Sequence, residues 1–201
     1  MSSLPGALRA LHQRPRWDRD WYVEPAWAVE ALFDMVRFVG AIHDPCCGGG
    51  TIPKVARGRG FMATGSDIIN RGFGEGEIDF LTDRRRRFNV VMNPPYNRAE
   101  RFVQYALQIV EFKVAVIVPL NFTAGQARSQ SLFLPHPPAR QIVLSKRPSM
   151  PPGGTDIPAK GGTTDYCWLV WDHDHDGPTI AEWWNPETGW PDAARRRLRR
   201  P

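Results

Sequence analysis

The stretch from Phe112 to Leu120, FKVAVIVPL, restricts the fold more than any other segment of the chain. A near-continuous apolar run of that length suits a β-strand buried on both faces, and such a strand belongs inside a sheet covered by helices on both sides. Other strand-like segments surround it: GAIHD (40–44), FMATGSD (61–67), GEIDFL (76–81), FNVVMNPPY (88–96), ARQIVLSK (139–146) and DYCWLVW (165–171). Three segments have apolar residues at helical spacing, namely 25–39, 51–58 and 98–110, with Pro25 and Pro53 each suited to a first turn. Helices alternate with the early strands, which predicts an α/β fold with seven strands in a mostly parallel sheet. Residues 147–164 are almost all turn formers, and a loop of that length inside a compact domain is usually functional or disordered.

With 201 residues and no recognisable linker, one domain over 1–180 is expected, followed by a C-terminal extension, 181–201, with a basic tail. An apolar fraction of 42% against 23% charged residues excludes a disordered chain. The net charge of +5 is matched by Arg195, Arg196, Arg197, Arg199 and Arg200, so the body is formally neutral and the tail is a candidate phosphate anchor. Three cysteines, two of them adjacent, suggest neither a disulfide framework nor a zinc site. No apolar stretch approaches the roughly 18 residues of a membrane helix, and the start lacks the order of a secretory signal. The expectation is a soluble cytoplasmic protein with no membrane partner.

Ligands of open α/β sheets sit beyond the carboxyl ends of the strands, so residues just after each strand carry the functional information. The first strand runs into Asp44-Pro45-Cys46-Cys47-Gly48-Gly49-Gly50, where glycines let backbone approach a ligand closely or simply connect strand to helix. Asp67, ending the second strand, is placed to accept from ribose hydroxyls or to cap a helix. The fourth strand stops at Asn93-Pro94-Pro95-Tyr96, a pattern that chance supplies in roughly 0.6% of sequences of this composition. A purely structural role, two prolines ending a strand, remains open for it. Consecutive residues at a strand end rarely converge on one ion, so Asp172 to Asp176 reads as a solvated loop and no metal is expected. Arg84 to Arg87 would lie at the amino end of the fourth strand, as a solvated connector or a phosphate contact.

These motifs resemble those of S-adenosylmethionine-dependent amino-methyltransferases, and within them the DNA adenine-N6 methyltransferases, especially the compact type often carried by phages and prophages. The resemblance implies a Rossmann-like class I methyltransferase fold, seven-stranded with the last strand antiparallel, with S-adenosylmethionine as cofactor and DNA as partner. It implies a catalytic set of Asn93, Pro94, Pro95 and Tyr96. For the cofactor it implies the loop residues Asp44, Pro45, Cys46, Gly48 and Gly50, then Asp67 and Ile68, then the Asp79-Phe80 pair beside the adenine. Tyr22, Glu24 and Pro25 match the segment that closes over the methionine end. The resemblance also implies a bacterial or phage-infected host cell and a link to restriction-modification, with no separate target-recognition domain. Protein glutamine or an RNA base is an alternative substrate, and a silent nucleic-acid binder an alternative class.

The chemistry explains why such groups recur. The adenine N6 lone pair is delocalised into the ring, and acceptors holding both amine hydrogens favour a pyramidal, nucleophilic nitrogen. The Asn93 side-chain oxygen and the Pro94 carbonyl suit that task, with proline fixing the carbonyl in place. A base paired in a duplex must be flipped out, and stacking on Tyr96 would offset part of that cost.

Overall fold

The computed structural model describes residues 21–187. The arginine tail lies outside those residues. In chain order the elements are α1 (Ala26–Met35), β1 (Ile42–Asp44), α2 (Thr51–Gly58), β2 (Ala63–Gly65), a 3-10 turn (Phe80–Thr82), β3 (Arg87–Met92), α3 (Ala99–Ile109) and β4 (Val110–Pro119). A second 3-10 turn (Leu120–Thr123) follows, then a helical turn (Gln126–Arg128) that widens into a π-helix (Ser129–Phe133), then β5 (Arg140–Leu144), β6 (Tyr166–Asp172) and β7 (Ile180–Trp184). The strands form one sheet in the order β2-β1-β3-β4-β6-β5-β7. Every neighbouring pair is parallel except those of β6, which runs antiparallel to both β4 and β5.

The alternation of side chains along the inner strands builds two cores. Val91 of β3, Ala115 and Ile117 of β4, and Trp168 and Val170 of β6 pack with α1 and α2 on one face. Val90 and Met92, then Val114, Val116 and Val118, then Cys167, Leu169 and Trp171 pack with α3 on the other. From Val114 to Val118 every residue of β4 is fully buried, as a strand covered on both faces requires. Lys113, the cation just before that run, is offset by Asp172 of β6 at 2.9 Å.

Three expectations need correction. The segment 76–81 is no strand: Asp79 accepts from the Leu81 amide at 3.0 Å and caps the 3-10 turn, while Phe80 turns into the core against Phe102 and Tyr105. The strand count is still seven, because β7 pairs with β5 inside what reads as an extension, so residues 181–184 belong to the sheet. Ile180 and Trp183 of β7 are exposed, which removes the apolar pattern by which a strand is recognised. The segment 165–171, expected as the last strand and as the antiparallel one, is β6 and is reversed as expected, while β7 beyond it runs parallel to β5. The first helix also ends at Met35 rather than 39, since Val36 is extended and Val36 and Phe38, on alternate positions, turn into the core.

Trp168 joins sheet to helix: it is fully buried and its Nε1 donates to the Ala28 carbonyl at 2.8 Å. Trp168→Ala is expected to cost about 3–5 kcal/mol in urea unfolding, and Trp168→Phe less, since the ring is retained and chiefly that hydrogen bond is lost.

Candidate active site

The carboxyl ends of β1 to β4 open into a cleft of about 1190 Å³. Of the residues expected to act there, Tyr22, Pro45, Cys46, Asp67, Ile68, Asp79, Phe80, Asn93, Pro94, Pro95 and Tyr96 all line it. Sequence positions more than seventy apart thus meet, because parallel strands deliver their carboxyl ends to the same edge.

After β1 the backbone turns at Gly48 and Gly50, whose φ values of 51° and 82° lie in the left-handed region that glycine enters without strain. Asp67 ties this turn to the end of β2. Its Oδ2 accepts from the Gly48 amide at 2.9 Å and its Oδ1 from the Ile69 amide at 3.0 Å, while Arg71 Nε stands 3.6 Å away. Each oxygen keeps acceptor capacity for a further donor. Asp79 is exposed at the cleft wall, whereas Phe80 is only 1% exposed and serves mainly as core.

Five of the expected residues stand behind the wall: Glu24, Pro25, Asp44, Gly48 and Gly50. The reason for the glycines is Trp21. A Cβ on Gly48 would sit 2.1 Å from the indole nitrogen, and one on Gly153 would sit 2.2 Å from the same ring, so the indole lies between the two turns. The Arg71 guanidinium covers the ring at 4.6 Å. Phe73 fills the equivalent space over Gly50. Sequence reasoning passed over Trp21, Arg71 and Phe73, and the only signal was glycine in two loops that the chain gives no reason to pair.

The long loop 147–164 is tied down by this same segment. Val23 donates to the Pro151 carbonyl at 2.9 Å and Gly153 to the Trp21 carbonyl at 2.6 Å, around a bridge between Tyr22 and Pro152. The result is a short antiparallel strap across the cleft.

Beyond β3, Asn93 Nδ2 donates to the Tyr22 carbonyl at 3.0 Å and to Glu24 Oε2 at 2.9 Å. The Tyr96 ring lies parallel to Tyr22 with centroids 6.4 Å apart, and its hydroxyl donates to Met150 Sδ at 3.1 Å. The Pro94 carbonyl accepts from none of the described residues, whereas the Pro95 carbonyl accepts from Arg98.

Two acids are buried here against their charge. Burial pushes the Glu24 carboxyl up to about 7, partly opposed by hydrogen bonds from Asn93 and Thr51. Burial and then the neighbouring Glu24 hold Asp44 well above the carboxylate range. Burial, then these acids, push the Cys46 thiol up as well. Neither Glu24 nor Asp44 makes an ion pair among the described residues, so burial leaves both carboxyls favouring the protonated form.

No family model and no curated protein matches this sequence. Solved structures do match. A modification subunit of a "putative type I restriction enzyme" from Vibrio vulnificus YJ016 aligns over 90% of this chain and 50% of its own, with 16% identity and a TM-score of 0.53. This chain thus spans about half the length of that neighbour. A "putative RNA methyltransferase" from Pyrococcus horikoshii aligns over 80% of this chain and 90% of its own, with 16% identity and a TM-score of 0.58. The fold is Rossmann-like, of the methyltransferase type.

Raising a carboxyl above its unfolded value means that the folded state holds the proton more tightly, so stability declines as pH rises from about 4.5 to about 7 for Glu24. Glu24→Gln removes the charge and is expected to stabilise the protein by on the order of 2 kcal/mol at alkaline pH. At acid pH the gain should vanish. Thermal unfolding of both proteins across that range checks the sign.

Proposed function

We propose that this protein transfers a methyl group from S-adenosylmethionine to the N6 amine of adenine in DNA. The observation that carries the reading is the Asn93 amide: both its hydrogens are used by Tyr22 and Glu24, so its Oδ1 is left as an acceptor at the cleft, next to the unused Pro94 carbonyl. Two fixed acceptors at one edge of an aromatic-lined cleft match an exocyclic amine with two hydrogens.

The residues present fit the cofactor. It is cationic at the sulfonium and the ammonium, and Asp44, buried without an ion-pair partner among the described residues, ends β1 at the same edge of the sheet. Asp67 offers acceptors for ribose hydroxyls from the cleft wall. When bound, S-adenosylmethionine supplies a methyl group on a sulfonium, which leaves as a neutral thioether.

The chain's own groups do the rest. Asn93 Oδ1 and the Pro94 carbonyl hold the two amine hydrogens, which draws the nitrogen lone pair out of the ring and aims it. As the nitrogen–carbon bond forms, positive charge grows on the amine beside these acceptors, and the surplus proton passes to water. Tyr96, anchored through its hydroxyl, presents a fixed ring beside Tyr22 for the flipped base. Arg98 and Lys160 line the same cleft and give the phosphates of a nucleic acid their partners. An RNA base is the second reading, favoured by the name of the Pyrococcus neighbour.

The test is labelled-methyl transfer to duplex DNA, single-stranded DNA and RNA side by side, with calorimetry for the cofactor. Transfer to adenine in DNA is expected, and absence of cofactor binding at millimolar concentration refutes the reading. Asn93→Ala should abolish transfer while cofactor affinity stays within a few fold, because its acceptor acts on the target amine. Asp67→Ala should weaken cofactor binding by about 1.5–3 kcal/mol. Tyr96→Phe, which keeps the ring and gives up the bond to Met150, should be mild, and Tyr96→Ala severe.

A further inference from the structure

Glu24 falls where the family resemblance implies a contact to the cofactor, yet its carboxylate sits behind the cleft wall, 7% exposed, with Oε2 on Asn93 Nδ2 at 2.9 Å. The orientation of an asparagine amide follows from its partners. Here one is a main-chain carbonyl, that of Tyr22, and a carbonyl can only accept. The other is a carboxylate oxygen that accepts whenever it is ionised. Nitrogen must therefore face both, and oxygen must face the cleft.

We infer that Glu24 is a positioning residue, which together with the Tyr22 carbonyl locks the Asn93 amide so that Oδ1 alone meets the substrate amine. The inference rests on the methyl-transfer reading for its kinetic consequence, though not for the hydrogen bond itself. An ionised Glu24 does more than orient. A charge-assisted bond draws the amide hydrogen toward the carboxylate and leaves more negative charge on Oδ1, where the amine becomes cationic during transfer. Protonated Glu24 loses that charge and gains a donor able to compete for the Asn93 oxygen.

The groups facing Glu24 come from every neighbouring element. Thr51 at the start of α2 and Asn93 after β3 hydrogen-bond to it, while Asp44 at the end of β1, Cys46 in the glycine turn and Tyr96 beyond β3 interact with its charge. Two of these neighbours, Cys46 and Tyr96, are themselves held neutral by burial, which leaves Asp44 as the acid coupled to it. Asp44 accepts from the Cys46 amide at 3.1 Å, and among the described residues the Asn93 amide donates to Tyr22 and Glu24 and not to Asp44, so a response at the Asn93 amide reads Glu24 directly.

The first measurement needs no substrate. In the cofactor-free protein, the side-chain amide signals of Asn93, assigned by their loss in Asn93→Ala, should shift as Glu24 titrates. In Glu24→Gln they should stay fixed. Signals that ignore pH in the native protein, or that move equally in the variant, overturn the inference. The second measurement is the single-turnover rate with cofactor and DNA saturating. Glu24→Gln, whose side-chain oxygen still accepts from Asn93, should slow transfer about tenfold and flatten the acid limb of its pH profile. Glu24→Ala should slow it about a hundredfold or more, as expected when the acceptor itself is lost. The affinity for S-adenosylhomocysteine should change less than about threefold in Glu24→Gln, since the carboxylate faces Asn93 and not the cleft.

A loss confined to cofactor affinity, with the saturated rate unchanged, would return Glu24 to the cofactor and overturn the inference. A titrating Asn93 signal in a native protein that methylates none of the nucleic acids tried would refute the proposed function, and with it the catalytic meaning of the lock. Fixed signals with methylation intact would refute the lock alone. A merely structural Glu24 predicts a less stable Gln variant, whereas relief of the buried charge predicts a more stable one.

Discussion

Burial of β4 on both faces is the constraint from which the rest of the molecule follows. A strand with apolar side chains above and below must lie inside a sheet that helices cover twice, and α1 and α2 on one side with α3 on the other meet that demand. Parallel neighbours then follow, because each crossover helix returns the chain to the same end of the sheet. The carboxyl ends of β1 to β4 gather at one edge, and there the chain has polar residues where its strands stop.

What occupies that edge is costly to the fold. Glu24 and Asp44 lie within the protein at 7% and 1% exposure with no ion-pair partner among the described residues. Desolvating a carboxylate without a cation is unfavourable, so stability is given up where the chemistry is proposed to occur. The polar network beside β1 and β2 differs. His43 is 3% exposed and bonds to Thr64 and Ser66, and burial followed by Arg87 and Arg85 lowers it to about 3, so it stays neutral and structural. Two buried titratable clusters thus have opposite characters. One is satisfied by hydroxyls, and the other has no ion-pair partner among the described residues.

The cation run before β3 is another structural solution. Arg85 pairs with Asp83 and Glu75, and Arg87 pairs with Asp83, which fixes the turn ahead of the strand at the end away from the cleft. Those pairs lower Asp83 to about 2 against the effect of its burial. Arg84 and Arg86 remain exposed.

Local sequence settled the strands and helices wherever burial imposed a period. The apolar run of β4, the helix of α3 and the halt of β3 at two prolines were legible because each is a property of neighbouring residues. So was the meeting of Asp67, Asn93 and the glycine turn at one edge, which follows from parallel topology. The failures share a cause. Segment 76–81 has the composition of a strand, yet the Asp79 cap and the pull of Phe80 into the α3 core outweigh pairing. The exposed β7 has no apolar pattern and exists because β5 offers it an edge. Trp21 on Gly48 and Gly153, and Glu24 on Asn93, join positions far apart in the chain. Periodicity and spacing report which residues a segment must bury, because burial is decided within a few residues. Which distant group fills a given glycine or accepts a given amide hydrogen is decided only when the strap closes over the sheet edge, and that is a property of the tertiary structure alone.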